Sequence, residues 1–362
     1  MKFLDLTEQY REIQPEIEKT VLSVLQSGQY VLGPEVEGLE REVAGYFGAR
    51  WAVGVASGTD ALILSLRALG VGHGDEVITT PFTFVATAEA IRSVGATPVF
   101  VDIDPDTFNI SPSLIAAAIG PGTKAIIPVH LFGLPARVDE ICSVARDNGL
   151  FVVEDCAQAA GATAGGKRVG SFGDAAALSF FPTKNLGCYG DGGMILTGSE
   201  DVRESVRMLR AHGAREKYQS EVSGYNSRLD ALQAAILRVK LPHLDRWNEK
   251  RRQVASWYDD NLPAGCLPAV PEGVAHVYHL YTIRCTSRDT VEDALRKEGI
   301  PYGVYYPVPS HLQEAFRDLG VEEGSLPESE RASREVLSLP FYPEMSRDDA
   351  LLVASVVRDA LQ

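Results

Sequence analysis

Between Ala49 and Thr197 short apolar runs alternate with helix-like segments, and this rhythm restricts the fold more than any other feature of the chain. Trp51 to Val55 reads as a strand, followed by a helix near Asp60 to Leu69. Glu76 to Thr79 is a strand, Phe84 to Val94 a helix, and Pro98 to Asp102 another strand. Ala125 to Val129, Leu150 to Asp155 and Ala175 to Phe180 continue the series. Strands separated by helices predict a mostly parallel sheet with helices on both faces, a three-layer α/β/α domain. Functional residues then belong at the carboxyl ends of strands and in the loops that follow.

Beyond Gln233-Ala234-Ala235-Ile236-Leu237 the texture changes. A helix rich in Arg, Lys and Trp, near Leu244 to Leu262, leads into a Pro/Gly-punctuated stretch from Pro263 to Gly273. Alternating segments follow at His276 to Cys285 and Gly303 to Tyr306, with a helix near Val291 to Glu298 between them. Helical patterns near Ala332 to Leu337 and Arg347 to Leu361 close the chain. A length of 362 residues is enough for two buried cores. We expect a large domain over 1–246, N-terminal segment included, and a smaller C-terminal α/β domain over 247–362.

Charge narrows the partners. The formal net charge of −15 argues against nucleic acid and against an anionic membrane surface. An anionic ligand would need local cations rather than long-range steering. The five cysteines (Cys142, Cys156, Cys188, Cys266 and Cys285) are scattered, and none has metal-ligand spacing, so no metal is expected. The N-terminus turns polar too early for a signal peptide, and no apolar run reaches membrane-spanning length. A cytoplasmic protein is expected.

Three local patterns carry chemistry. In Leu178-Ser179-Phe180-Phe181-Pro182-Thr183-Lys184 a lysine follows an apolar strand and two aromatic rings. Partial desolvation there lowers an ammonium pKa and frees the amine for a Schiff base. A loop lysine reaching solvent is the commoner outcome. In Leu150-Phe151-Val152-Val153-Glu154-Asp155 a buried strand ends in two acids. Alternation sends them to opposite sides, so only one points into a shared pocket; that acid could serve a cofactor, bind Mg²⁺ or cap a helix. In Ala56-Ser57-Gly58-Thr59-Asp60 a helix N-terminus offers backbone N–H groups to an anion, and Ser57 with Asp60 is also a capping box. Neither a Gly-x-Gly-x-x-Gly after a strand nor a Walker-type loop occurs, which removes the main signal for dinucleotides and NTPases. The glycines from Gly187 to Gly193 read as a tight return loop before a strand.

With these patterns in hand, the chain resembles the nucleotide-sugar aminotransferases of the DegT/StrS group, whose fold is that of the pyridoxal-phosphate-dependent transferases of type I. The resemblance rests on Ser57-Gly58-Thr59-Asp60-Ala61-Leu62, Thr83-Phe84-Val85-Ala86-Thr87-Ala88, Glu154-Asp155-Cys156-Ala157-Gln158, Ser179-Phe180-Phe181-Pro182-Thr183-Lys184 and Asn226-Ser227-Arg228-Leu229-Asp230, in that order. It extends from Phe3-Leu4-Asp5-Leu6 to Tyr305-Tyr306-Pro307.

The resemblance implies pyridoxal 5'-phosphate as cofactor, with pyridoxamine 5'-phosphate formed in turnover. Lys184 would be the Schiff-base lysine and proton carrier, and Asp155 the partner of the ring nitrogen. Gln158 would reach the ring hydroxyl, Phe84 would stack on the ring, and Gly58, Thr59 and Ser179 would hold the phosphate. Asn226 would reach the phosphate of a neighbouring subunit, making a homodimer with shared sites. Arg228, Tyr306 and His311 would meet the substrate; for Arg228 a structural salt bridge is the equal alternative. Relatives with histidine in place of this lysine deoxygenate sugars, whereas Lys184 favours transamination. The serine at position 227 resembles the branch acting on 3-keto rather than 4-keto sugars, with an amino acid, glutamate, as donor. A sugar dehydratase on the same scaffold and a cofactor-binding regulatory protein are the rival expectations.

Overall fold

The computed structural model describes residues 1–216 and 218–361. Seven strands form the main sheet: β1 (Trp51–Val55), β2 (Glu76–Thr79), β3 (Thr97–Phe100), β4 (Thr123–Ile126), β5 (Phe151–Asp155), β6 (Ala175–Ser179) and β7 (Gly193–Thr197). Their spatial order is β1-β7-β6-β5-β4-β2-β3. The ladders from β3 through β6 are parallel, and β7 runs antiparallel to both β1 and β6. The sheet is therefore mostly parallel, as the alternation of strands and helices implies.

Both faces are apolar because both are covered. Along β6, Ala176 and Leu178 pack with Phe47, Leu196 and Leu237, while Ala175 and Ala177 pack with Val55, Leu62, Leu64 and Val206. The first face is roofed by the helices Pro34–Phe47 and Ala231–Lys240, the second by Gly58–Ala68 and Glu200–Leu209. This period-2 division makes the end of each strand predictable in its facing, which matters at Glu154 and Asp155.

One glycine has a specific task. Gly193 pairs with Val55 on one side and Ser179 on the other. A Cβ there would fall 2.2 Å from the Ser57 carbonyl oxygen, so only glycine lets β7 sit under the turn that starts the Gly58–Ala68 helix. The loop after Lys184 thus ends in a residue that brings two parts of the site together.

The C-terminal part packs Val254 and Tyr258 from the helix Leu244–Asp259 against the antiparallel pair β8 (Tyr281–Arg284) and β9 (Val336–Leu339), with Val353 and Val357 of the last helix behind. The helices Ala231–Lys240 and Leu244–Asp259 are joined by a single 3₁₀ turn, Leu241–His243, so the expected boundary at 246/247 falls inside the second of them. Two local expectations change. Gly303 to Tyr306 contributes only an isolated bridge, Gly303 to Ser338. The pattern at Ala332 to Leu337 spans a junction: the helix Pro327–Glu335 stops and β9 begins at Val336, because the apolar run Val336-Leu337-Ser338-Leu339 completes a sheet with β8. No helix among the described residues is long and apolar enough to cross a membrane.

Candidate active site

At the carboxyl end of β5 the backbone alternation sends its two acids apart. Asp155 is buried and accepts from Thr87 Oγ1 at 2.9 Å and from the Ala157 N–H at 3.1 Å. Burial pushes its carboxyl up, against the pull of those two hydrogen bonds and of the nearby Lys184 charge. Thr87 comes from the helix Ala86–Ser93, directly after the loop that bears Phe84.

Lys184 lies in the turn after β6, where its N–H donates to the Phe181 carbonyl at 2.8 Å. The side chain keeps part of its surface open, yet its amine is packed deeply enough that burial lowers its pKa to about 8, opposed by the charge of Asp155. Among the described residues no group hydrogen-bonds to Lys184 Nζ. His279 faces the same amine. It is buried, its Nδ1 has no partner, and burial first, then the Lys184 and Arg251 charges, hold it neutral.

The helix Gly58–Ala68 begins beside this pair. Ser57 Oγ accepts the Asp60 N–H at 3.0 Å, leaving the Gly58 and Thr59 N–H groups as free donors of the first turn. A Cβ at Gly58 would lie 2.7 Å from Ser179 Cβ, so the glycine is what allows the first turn and Ser179 to form one cradle. Phe84 is 55% exposed, an uncovered ring 6.2 Å from the ring of Tyr306. Gln158 accepts the Phe132 N–H at 2.7 Å and donates to Tyr306 Oη at 3.0 Å, which leaves one amide proton unassigned.

The Asn226-Ser227-Arg228-Leu229 loop is tied to this cradle through its serine. Ser227 Oγ donates to Asp60 Oδ2 at 2.7 Å and accepts the Ala56 N–H at 3.2 Å. Asn226 is exposed beside it. Arg228 is only partly covered; its Nε is buried without a hydrogen-bond partner, and no carboxylate among the described residues pairs with it. The salt-bridge alternative for Arg228 is therefore not realised among the described residues. His311 stands apart from the open residues: it is enclosed, with Nε2 3.2 Å from Glu330 Oε1 and its ring against Phe100. Its Nδ1 has no hydrogen-bond partner but is buried with the rest of the ring.

These groups fit the cofactor that the resemblance implies. A free amine, a buried carboxylate, an exposed aromatic ring and an N–H cradle are the donor set for an aldehyde, a ring nitrogen, a ring face and a phosphate. Thr87 and His279 were not singled out from the sequence. Thr87 lies inside one of the matched motifs, while nothing in the sequence around His279 marks it.

A mostly parallel α/β scaffold with this amine and carboxylate fits the class of pyridoxal-phosphate-dependent enzymes. The sequence profile of the DegT/DnrJ/EryC1/StrS aminotransferase family matches residues 11–358, and the chain belongs to that family. It is 50% identical over 98% of its length to a pleiotropic regulatory protein of Geobacillus stearothermophilus, covering 97% of that protein. It is 47% identical to a UDP-N-acetyl-3-dehydro-alpha-D-glucosamine 3-aminotransferase of Acidithiobacillus ferrooxidans, covering 99% of this chain and 97% of the relative. The structure of S. venezuelae DesV in complex with a ketimine intermediate superposes with a TM-score of 0.97 at 46% identity, covering 100% of this chain and 98% of that one.

Proposed function

We propose that the protein is a pyridoxal-phosphate-dependent aminotransferase that moves an amino group from glutamate to the 3-keto position of a nucleotide-linked sugar. The observation that carries this reading is the unpartnered Lys184 amine facing the buried Asp155 carboxylate. Pyridoxal phosphate, when bound, supplies an electron sink in its protonated ring. Asp155 would keep that proton on the ring nitrogen, and Thr87 and the Ala157 N–H hold the carboxylate in place. Gly58, Thr59 and Ser179 would hold the phosphate, Phe84 would cover the ring, and the spare Gln158 proton would meet the ring oxygen. Lys184 would anchor the cofactor and, as a free amine, would move a proton at Nζ between the substrate carbon and the cofactor's C4′. Its lowered pKa keeps a useful fraction neutral near physiological pH.

Arg228 is the cation assigned to the substrate, because it has no carboxylate of its own. Tyr306, hydrogen-bonded to Gln158, is also assigned to the substrate. The 3-keto preference rests on Ser227 and on the relative named a 3-aminotransferase. We also propose a homodimer with shared sites. Leu22, Leu25, Tyr30 and Val31 are exposed, and Tyr30 and Val31 bond to Ala231 and Asp230, next to the Asn226–Arg228 loop. A reducing, cytoplasmic setting fits the five unpaired cysteines.

The regulatory reading is favoured by two relatives' names alone, a pleiotropic regulatory protein and an erythromycin biosynthesis sensory transduction protein. Glutamate added to the loaded protein should convert its visible absorbance to that of pyridoxamine phosphate and release 2-oxoglutarate; a binder without turnover does neither. A panel of 3-keto and 4-keto nucleotide-sugars then reads the amine product, and loss of a hydroxyl instead of gain of an amine would establish the dehydratase. Mixing Lys184→Ala with Arg228→Ala subunits should restore activity if each pocket draws on both chains.

A further inference from the structure

The loop that carries Lys184 is gripped by side chains that the proposed reaction does not use. Gln233 and Lys240 lie two turns apart on one face of the helix Ala231–Lys240. Gln233 Oε1 accepts the Tyr189 N–H at 2.8 Å, and Lys240 Nζ donates to the Gly187 carbonyl. From the next helix, Asn248 Oδ1 accepts from Asn185 Nδ2 at 2.8 Å, and that amide also donates to the Val277 carbonyl at 2.9 Å. Residues 185, 187 and 189, every second position after Lys184, are therefore tied down.

Lys240 is the unusual member. It is 1% exposed and has no carboxylate partner. Its ammonium sits 5.0 Å from the centroid of the Tyr189 ring and 5.9 Å from that of Trp247. The charged or titratable groups facing it are Cys188 and Glu344, neither in an ion pair with it. Burial of an unpaired ammonium is costly, and an apolar residue of the same length would fill the space without that cost. The two aromatic faces and the single carbonyl are what offset it.

We infer that Lys240 is a positioning residue, whose buried ammonium fixes the Gly187 carbonyl and thereby keeps the Lys184 amine in its desolvated place. The inference rests on reading Lys184 as the working amine. Besides Lys240's loop, the groups facing Lys184 are Asp155 and His279, and both belong to other elements, so loosening the loop moves the lysine relative to them.

The test reads the amine itself in the full-length, cofactor-free protein. Trace acylation with acetic anhydride across pH, scored on the Lys184 peptide by mass spectrometry, should give a midpoint of about 8 in the wild type. Lys240→Met should raise that midpoint by about one unit or more, towards an ordinary lysine. Lys240→Arg, which retains a donor, should hold it near the wild-type value. Where Lys240→Met fails to fold, Gln233→Leu removes a partly exposed clamp instead and should shift the midpoint the same way by a smaller amount. An unchanged midpoint in a folded Lys240→Met protein, or in Gln233→Leu if that is the variant in hand, overturns the inference while leaving the aminotransferase reading intact. A wild-type midpoint at an ordinary lysine value also overturns the inference, whereas the aminotransferase reading stands or falls on the glutamate-driven absorbance change.

Discussion

The two faces of β5 end in neighbouring carboxylates with opposite fates. Glu154 is fully enclosed, and its oxygens accept from Phe172 N–H at 2.8 Å, Gly173 N–H at 2.9 Å, Gly170 N–H at 2.8 Å and His130 at 3.2 Å. His130 Nδ1 accepts the Ala136 N–H at 3.0 Å, which leaves its proton on Nε2, pointing at Glu154. Burial alone would push the Glu154 carboxyl up, but these donors outweigh it and hold it below the ordinary value. Asp155 has two donors and is shifted up. Atoms of His130, Glu154 and Cys156 converge within 4.8 Å, yet the histidine nitrogens and the carboxylate are already engaged, so the cluster is a closed brace and not an open ligand set. The lesson is that proximity of polar groups marks structure where every partner is supplied, and chemistry where some are withheld.

Four measurements sharpen or break this contrast. Lys184→Ala should abolish the covalently held cofactor and all turnover, and borohydride reduction of the wild type should label the Lys184 peptide; a label elsewhere removes the open face's central group. Asp155→Asn should keep the cofactor but lower kcat by on the order of 10²–10³, the usual effect of removing one preorganised electrostatic group. Glu154→Gln should act on the other face, costing about 1–3 kcal/mol of stability through mismatched N–H donors. In that variant kcat per folded molecule should stay near wild type, and a large catalytic loss would erase the distinction between the faces.

The smallest effect concerns pH. Lys184 has a folded pKa of about 8 against an ordinary 10.5, so between those values the unfolded chain binds a proton that the folded one does not. Stability of the cofactor-free protein should then rise with pH across that window, with the full penalty of the buried amine felt below it. Lys240, also lowered to about 8, adds the same slope. The difference between wild type and Lys184→Met in urea midpoints from pH 8 to 10.5 isolates the Lys184 share, and parallel curves would contradict it.

Much of the site was legible because its residues sit at strand ends. Trp51–Val55 and Glu76–Thr79 end where their apolar runs end, and the opposite facing of Glu154 and Asp155 follows from period-2 alternation. The junction at Glu335/Val336 was not legible, since a short apolar run fits a helix as well as a strand until its partner β8 is known. Lys240 escaped notice for a related reason: its partner is a backbone carbonyl 53 residues away. A signal was present, however. Leu237, a core residue, and Lys240 lie three positions apart on the helix Ala231–Lys240, and a lysine beside that buried face demands an explanation.

The paired helices Ala231–Lys240 and Leu244–Asp259 start beside Arg228, pass under the lysine loop and end among Val254 and Tyr258 in the C-terminal core. For anyone recombining such enzymes, this makes the molecule less modular than its two cores suggest. A splice at 246/247 would cut a helix within its first turn, beside the buried Trp247 and Asn248, severing the Asn185 anchor along with it. A chimaera meant to exchange only the C-terminal half should be joined after Asp259, so that the parental helix travels with the lysine it holds.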